Sequence, residues 1–331
     1  DTAAIVTGDD RTFVPLRAIA EAFGKEVFWD DMGFIVISGT KDIFNRETDL
    51  ALMLNVMAEF TYERPTGEKV IADLKANAPQ HPRILADKDD FARIKSLYNS
   101  DPLMKEWVDK VLKSAENSAA SAQAPVYSLD SGNRLKGTNT ESYMLSWGLA
   151  YQITGDKKYV DAAYKHLAVI CGFDNWHPGH FLDAAGIMKG VAIGYDWMYD
   201  GFTADQRKVI EEGLYKHGIK AGLGSYAGTS EDMDPKFGEF GRNGWTKTDN
   251  NWNAVCNGGL TLASAAIGDL DAYSKDVGDL MGKVLKSIEK GIRCYAPDGS
   301  YPEGPGYWAY GTNNLFYMIE CLDSAMGTDR K

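Results

Sequence analysis

Apolar positions along most of the chain recur at three- and four-residue steps, the mark of helices that bury one face. From His81 onward this period is nearly unbroken: Asp87–Tyr98 and Pro102–Ser118 each carry an apolar stripe. Glu141–Ile153 carries two, with Tyr143, Trp147 and Tyr151 on one and Leu145, Leu149 and Ile153 on the other, which predicts burial on two sides. Gly155 predicts a helix stop and Asp156 the next N-cap, with the partner helix running to about Ile170. Phe181–Tyr199 places Ile187, Val191, Tyr195 and Tyr199 at four-residue steps, and Thr203 with Gln206 spells a capping box for a helix ending near Ala221. "AIGDLDAY" (Ala266–Tyr273) echoes "QITGDKKY" (Gln152–Tyr159) as a Gly–Asp junction between helices. Recurring hairpins of this kind predict a mainly α fold, an incomplete α/α toroid of helical hairpins over residues 81–331, because such repeats bury their faces only by stacking.

The first residues have a different period. "RTFVPLRAIAEAFG" (Arg11–Gly24) predicts a short strand, then a helix from near Pro15 to Gly24 with Leu16, Ile19, Ala20 and Phe23 as its apolar face. Lys25–Gly39 predicts a β-hairpin turning at Asp30–Gly33. Residues 1–40 are therefore a small α+β module, too small to be a catalytic domain alone. Residues 41–80 are expected to be a connector, with one helix at Leu50–Phe60 and a turn at Tyr62–Lys69. The string from Arg11 to Asp30 resembles the second half of the copper amine oxidase N-terminal-like module, hence a partial copy. That resemblance implies a stalk or wall-facing spacer in a secreted or cell-surface bacterial protein, without copper in most contexts; a simple packing appendage is equally open.

Composition narrows the picture. With 44% hydrophobic residues in 331, the chain can bury a sizeable core. A net charge of −12, from 35 basic and 47 acidic residues, argues against nucleic acid as partner. It leaves room for an acidic sugar polymer, since a groove needs only local positive charge. No apolar run approaches the ~20 residues of a membrane span. The chain starts at Asp1, inside a motif, so an upstream segment is expected to have been removed. Cys171, Cys256, Cys294 and Cys321 form no C-x-x-C pattern and read as buried free thiols, with room for one disulfide.

Three segments rich in Gly, amides and aromatics make poor helix interiors, which points to selection by chemistry. In "GRNGWTKTDNNWNAVCNGG" (Gly241–Gly259), Asn250, Asn251 and Asn253 crowd a helix start beside Trp252. A cap explains one asparagine; a neutral amide can also donate to a substrate carboxylate. The preceding stretch is locally basic, with Lys236, Arg242 and Lys247 against Glu239, a net of +2 over residues 235–247. "CYAPDGSYPEGPGYWAYG" (Cys294–Gly311) offers Glu303, Tyr307, Trp308 and Tyr310 after a turn at Pro297–Ser300, although tyrosines near helix starts are as often core residues. "FDNWHPGHFLDAAG" (Phe173–Gly186) sets His177 and His180 beside Trp176; Pro178 between them keeps them off one helix turn, so no metal site is predicted there.

Four stretches, His81–Pro102, His180–Asp200, Asn250–Gly259 and Pro297–Gly311, stand in the order seen in heparinase II/III-like polysaccharide lyases, which the chain resembles over roughly its last three quarters. The resemblance implies a toroid followed by an antiparallel β-sandwich, with the active site between them. It implies β-elimination on a uronate polymer such as a glycosaminoglycan or alginate. Asn251 would neutralise the carboxylate, and Tyr307 would move the proton, with Tyr310 in reserve. Many relatives have His where this chain has Trp252. Arg134, Arg242, Lys247, His177 and His180 would supply positive charge; Asn250, Asn253, Glu303, Trp176, Trp245, Trp252 and Trp308 would line the sugar. No cofactor is expected in this chain. The sandwich, with a histidine and in some relatives a metal, is expected from sequence beyond Lys331. Two alternatives stay open: a toroid glycoside hydrolase using Asp298 and Glu303, and a non-catalytic carbohydrate-binding or cell-wall fragment.

Overall fold

The computed structural model describes residues 64–331 except 79, 230–236, 296–298 and 327–331, and within the first 63 residues only 5–6, 12–13, 16–29 and 35–38. The chain divides into two compact units, residues 1–63 and 64–331.

In the first unit, β1 (Ile5–Val6) pairs antiparallel with β2 (Thr12–Phe13), and α1 spans Leu16–Ala22. β3 (Glu26–Trp29) and β4 (Ile35–Ser38) form the expected hairpin, with Trp29 opposite Ile35 and Glu26 opposite Ser38. Of the expected apolar face of α1, Ala20 is buried while Leu16, Ile19 and Phe23 are exposed. The turn at Asp30–Gly33 and the helix expected at Leu50–Phe60 lie outside the described residues.

The second unit begins at Arg64, earlier than the expected His81. Residues assigned to a connector form α2 (Gly67–Asn77), started by Thr66, whose hydroxyl accepts from the Lys69 N–H. Val70, Ile71 and Leu74 of α2 join the main apolar cluster, so this helix belongs to the helical body. There follow α3 (Lys88–Ser100), α4 (Pro102–Ser121), α5 (Thr140–Thr154), α6 (Lys157–Cys171), α7 (Phe181–Trp197), α8 (Ala204–Gly213), α9 (Lys220–Ala227), α10 (Gly238–Arg242), α11 (Asn251–Ile267), α12 (Ser274–Arg293) and α13 (Pro305–Met326). Gly155 adopts φ +71 and Asp156 accepts from the Lys158 N–H, so the α5–α6 turn is built as its residues predict. The Thr203–Gln206 capping box is formed too, but its helix continues past Ala221 through a π turn at Leu214–Ile219 to Ala227. The second Gly–Asp junction is different. Gly268 stays right-handed, and Asp269 pairs with Arg83 at 2.5 Å instead of capping.

The helices form two layers. α5, α7, α11 and α13 pack side by side as an inner row; α4, α6, α8, α9, α12 and α2 back them. α7 and α11 are buried nearly all round, so neither shows a clean apolar stripe. α11 is held between its neighbours by two consecutive glycines. A Cβ on Gly259 would lie 2.7 Å from the Ala185 carbonyl of α7, and one on Gly258 would lie 2.9 Å from the Asn314 carbonyl of α13. Only glycine lets three backbones approach so closely. Asp196 at the far end of α7 accepts from the N–H groups of Arg83 and Ile84 and meets His81 Nδ1 at 2.5 Å, which fastens the His81–Ile84 segment to the inner row. This architecture brings the start of α11, the start of α7 and the start of α13 to one end of the body.

Candidate active site

Asn250 is the N-cap of α11: its side chain accepts from the Trp252 N–H, so its role is the capping one. Asn251, the first helical residue, is 2% exposed. Its backbone N–H donates to Glu303 Oε2 at 2.8 Å, and its Nδ2 lies 3.0 and 2.9 Å from Oε1 and Oε2. Its Oδ1 is buried with no hydrogen-bond partner. A side-chain amide and a helix N-terminal N–H thus hold one carboxylate, as the partial positive charge of a helix start favours. On α13, a Cβ on Gly311 would lie 3.4 Å from Asn251 Cβ. Tyr307, one turn earlier on the same stripe and 54% exposed, falls between Gly311 and Glu303, both of which adjoin Asn251. Asn251 and Tyr307 therefore share one side of the inner row.

A second cluster adjoins the first through Trp252, whose ring lies 4.6 Å from His180 and 5.1 Å from Phe240. His177, at φ +59, opens the 3-10 turn Pro178–His180 that leads into α7. That turn aims both imidazoles at Asp183: His177 Nδ1 sits 2.8 Å from Oδ2 and His180 Nδ1 3.3 Å from Oδ1. Arg134 donates to Asp183 Oδ1 from Nε and Nη2, and the Leu135 N–H donates to Oδ2. Burial pushes the Asp183 carboxyl up, but the two imidazoles, the guanidinium and the Leu135 N–H outweigh it and hold the group well below the usual carboxylate range. A cleft of about 260 Å³, lined in part by Arg134, Thr138, Glu141 and Asp183, runs alongside.

Tyr310 belongs to this second cluster. Burial pushes its phenol up to about 12; Cys256, Glu141 and Asp183 act in the same direction and Arg134 against it. It is therefore a neutral hydrogen-bond donor at neutral pH. Beneath it, the buried Lys189 donates to Asn314 Oδ1 at 2.8 Å and pairs with Glu141 at 3.0 Å, while Asn314 Nδ2 donates to the Tyr310 carbonyl.

Contacts thus link Asn251 with Glu303, and Trp252 through His180 with Asp183, His177 and Arg134, while Tyr307 stands exposed one turn before Gly311 and Tyr310 lies within electrostatic reach of Arg134 and Asp183. Three expected contributors are elsewhere. Trp245 is fully buried against Phe181 and Tyr226, and Trp176 is fully buried with its indole N–H on the Ile170 carbonyl, so neither can stack on a sugar. Asn253 is fully buried and donates to the Trp245 carbonyl and Ser287 Oγ, a structural role. Arg242 ends α10, with its carbonyl accepting from the Trp245 indole, and Lys247 is exposed just before α11. Trp308 is 43% exposed, its indole N–H on the Gly299 carbonyl. Lys236 and Asp298 lie outside the described residues, so the acid–base pair of a hydrolase is not on view. The residue missed in the sequence is Asp183. Its signal was the His–x–x–His–x–x–Asp spacing into the first turn of a helix, which puts three polar groups on one side of a tightening turn. All four cysteines are free, Cys256 and Cys321 deeply buried. Among the described residues, no three His, Cys, Asp or Glu side chains converge as a metal site, and no helix is long and apolar enough to cross a membrane.

Residues 1–43 match the family described as the copper amine oxidase N-terminal domain. The chain is 21% identical over 277 residues to an exo-oligoalginate lyase of Saccharophagus degradans, an alignment covering 77% of this chain and 35% of that protein. The chain thus spans about a third of the length of this curated relative. The crystal structure of an alginate lyase from Bacteroides ovatus superposes with a TM-score of 0.53 at 16% identity, over 75% of this chain and 78% of that one. This likeness, with the two-layered row of hairpins, makes the fold a mainly α one of the α/α toroid kind.

Proposed function

We propose that this chain is the helical part of a polysaccharide lyase that cleaves uronate-containing polymer by β-elimination, with alginate or its oligomers as the first candidate substrate. The observation that carries the reading is the seat on α11, where the Asn251 amide and backbone N–H already hold a carboxylate, that of Glu303. A uronate carboxylate held there has its charge masked by donors, which acidifies the neighbouring C5 proton. The base takes the C5 proton, the C5 electron pair forms the C4–C5 double bond, the C4–O bond breaks, and a proton goes to the leaving oxygen. Tyr307, exposed one turn before the Gly311 that packs on Asn251, is assigned the proton transfer at the sugar. Tyr310 stays protonated and donates a hydrogen bond. Trp252 offers its ring to a pyranose, and Arg134 and Lys136 are the cations that line the neighbouring cleft.

The names of the two alginate lyases favour alginate; the order of motifs in the chain favours the wider heparinase II/III-like group. A secreted or cell-surface setting suits a polymeric substrate, and the N-terminal module fits attachment at the wall. A β-sandwich downstream would complete the site; some of the group also carry a structural metal in that domain. The test is ultraviolet absorbance of the new conjugated double bond after incubation with polymannuronate, polyguluronate, heparan sulfate and chondroitin sulfate. Absorbance should rise with at least one uronate polymer and vanish in Asn251→Ala. Reducing ends released without absorbance would mean hydrolysis and overturn the reading.

A further inference from the structure

We infer that Glu303 is a gate: it occupies the carboxylate seat on Asn251 at rest, and an acidic sugar takes the seat only when Glu303 has swung out. The inference rests on the lyase reading above. An ionised carboxylate is an acceptor only, and Glu303 uses both donors that Asn251 offers on that side, the backbone N–H at 2.8 Å and Nδ2 at 2.9 and 3.0 Å. The other edge of the amide is no alternative. It is Oδ1, buried and without a partner, and an acceptor cannot receive a carboxylate. Flipping the amide would set Oδ1 against Glu303. Substrate and Glu303 therefore compete for the same donors, and two ionised carboxylates do not share so small a seat.

Glu303 is placed to leave. Its residue is exposed, so the released carboxylate enters water without crossing the core. The segment that carries it is bounded by Gly299 at φ +83 and Gly304 at φ +85, two left-handed positions with open space around the Cα, where glycine makes backbone rotation cheap. Among the contacts of the closed form are the Gly304 N–H on the Tyr301 carbonyl, the Gly299 N–H on the Tyr295 carbonyl, the Tyr301 ring 5.0 Å from Tyr295, and the Trp308 indole N–H on the Gly299 carbonyl. Tyr301 stays anchored, and the Glu303 side chain with Gly304 makes the swing. Opening would therefore move Trp308, an aromatic beside Tyr307, and alter its fluorescence. The gate also sets specificity. A neutral sugar has nothing to replace the charge that the seat loses, so only an acidic residue at this position opens it.

The experiment compares binding of a saturated mannuronate trisaccharide and of neutral mannotriose to the full chain, by calorimetry and tryptophan fluorescence. Tyr307→Phe is the common background, so that no product forms. A seat filled nine-tenths of the time by its own side chain raises the apparent Kd about tenfold. Glu303→Gln, which keeps shape and loses charge, should therefore bind the acidic trisaccharide about tenfold tighter, with neutral binding unchanged. Glu303→Ala should do the same, with a melting curve confirming that it is folded. Unchanged or weaker acid binding in both variants overturns the gate. Asn251→Ala separates this from the underlying reading. If it erases the preference for acid while the Glu303 variants fail to tighten binding, the gate alone is wrong; if the preference survives, the seat itself is wrongly placed.

Discussion

Arg134 reaches Asp183 through both Nε and Nη2, at 2.9 and 2.8 Å, and puts both donors on the single oxygen Oδ1. Oδ2 is thereby left for His177 and for the Leu135 N–H. One carboxylate in the first turn of α7 so ties down the loop before α5, the turn before α7 and the cationic side of the cleft. The arrangement gathers the Arg134 guanidinium and both imidazoles on one carboxylate.

Asp183→Asn should therefore cost both stability and binding. The substitution takes the ion-pair partner from Arg134 and an acceptor from His177, whose side chain is 5% exposed. Stripping one partner from such a cluster costs about 3 kcal/mol, at the low end for buried pairs because Arg134 is partly solvated. The wild-type carboxyl is depressed in the folded state, so its contribution is present above the unfolded pKa near ~4 and is lost as pH falls below it. Urea unfolding across the acid range should show the wild type losing stability below about pH 4 more steeply than Asp183→Asn. Parallel slopes would mean that Asp183 is not the group responsible.

His166 predicts a second pH dependence, in a different window. Burial alone lowers its pKa to about 4; its Nδ1 has no partner and its Nε2 lies 3.0 Å from Thr140 Oγ1. The unfolded chain takes up a proton near pH ~6.5 while the folded one does not, so stability falls from there down to about pH 4. The loss by pH 5 is about 2 kcal/mol. His166→Phe keeps a ring against Tyr143 and Trp147 but cannot titrate. Its stability should lie about 1 kcal/mol below wild type at pH 7, for the lost hydrogen bond, and should meet or exceed it at pH 5. Thermal melts at the two values decide this; a constant gap would show that His166 is protonated in the fold.

How much of this was legible along the chain follows from the range of each interaction. Gly155, Asp156 and the Thr203–Gln206 box act within a few residues, and they stand as read. The inner helices were harder. α11 is buried on every side, so its composition looks like a chemical motif when Asn253 and the nearby Trp245 are core. Glu303 meets Asn251 across 52 residues of sequence and Arg134 meets Asp183 across 49, and no local pattern reports such pairings. Tyr307 and Tyr310 are equivalent as letters. Only the packing of Gly311 on Asn251 and the charge around Tyr310 tell them apart.

The glycine pinch on α11 makes a prediction with an internal control. A Cβ on Gly259 meets the Ala185 backbone at 2.7 and 2.8 Å, and backbone cannot rotate away. Gly259→Ala should destabilise by roughly 2–3 kcal/mol, since overpacking a close-packed core forces helices apart. Gly186 lies inside α7 with open space where its Cβ would go. Gly186→Ala should stabilise by about 0.5–1 kcal/mol through helix propensity alone. Chemical denaturation of both variants tests the pinch, which predicts opposite signs for one added methyl on neighbouring helices.

The two tyrosines should separate in kinetics. Tyr307 stands in solvent reach on the stripe that faces Asn251, where a bound uronate would present C5. If Tyr307 carries the proton, as proposed, removing its hydroxyl should lower kcat by about 10²–10⁴-fold. Tyr310 is pushed up to about 12 chiefly by burial, so it carries its proton throughout the neutral range and serves as a fixed donor. Tyr310→Phe removes one neutral hydrogen bond to substrate, worth about 1 kcal/mol, and should raise KM about fivefold with little change in kcat. Its carbonyl still accepts from Asn314, so the Lys189–Glu141 pair below stays in place and the fold is not at issue. Steady-state absorbance assays on polymannuronate measure both parameters for each variant. If Tyr310→Phe abolishes kcat while Tyr307→Phe retains it, the proton passes through the Tyr310 phenol, and the site lies closer to Arg134 and Asp183 than the seat on Asn251 implies.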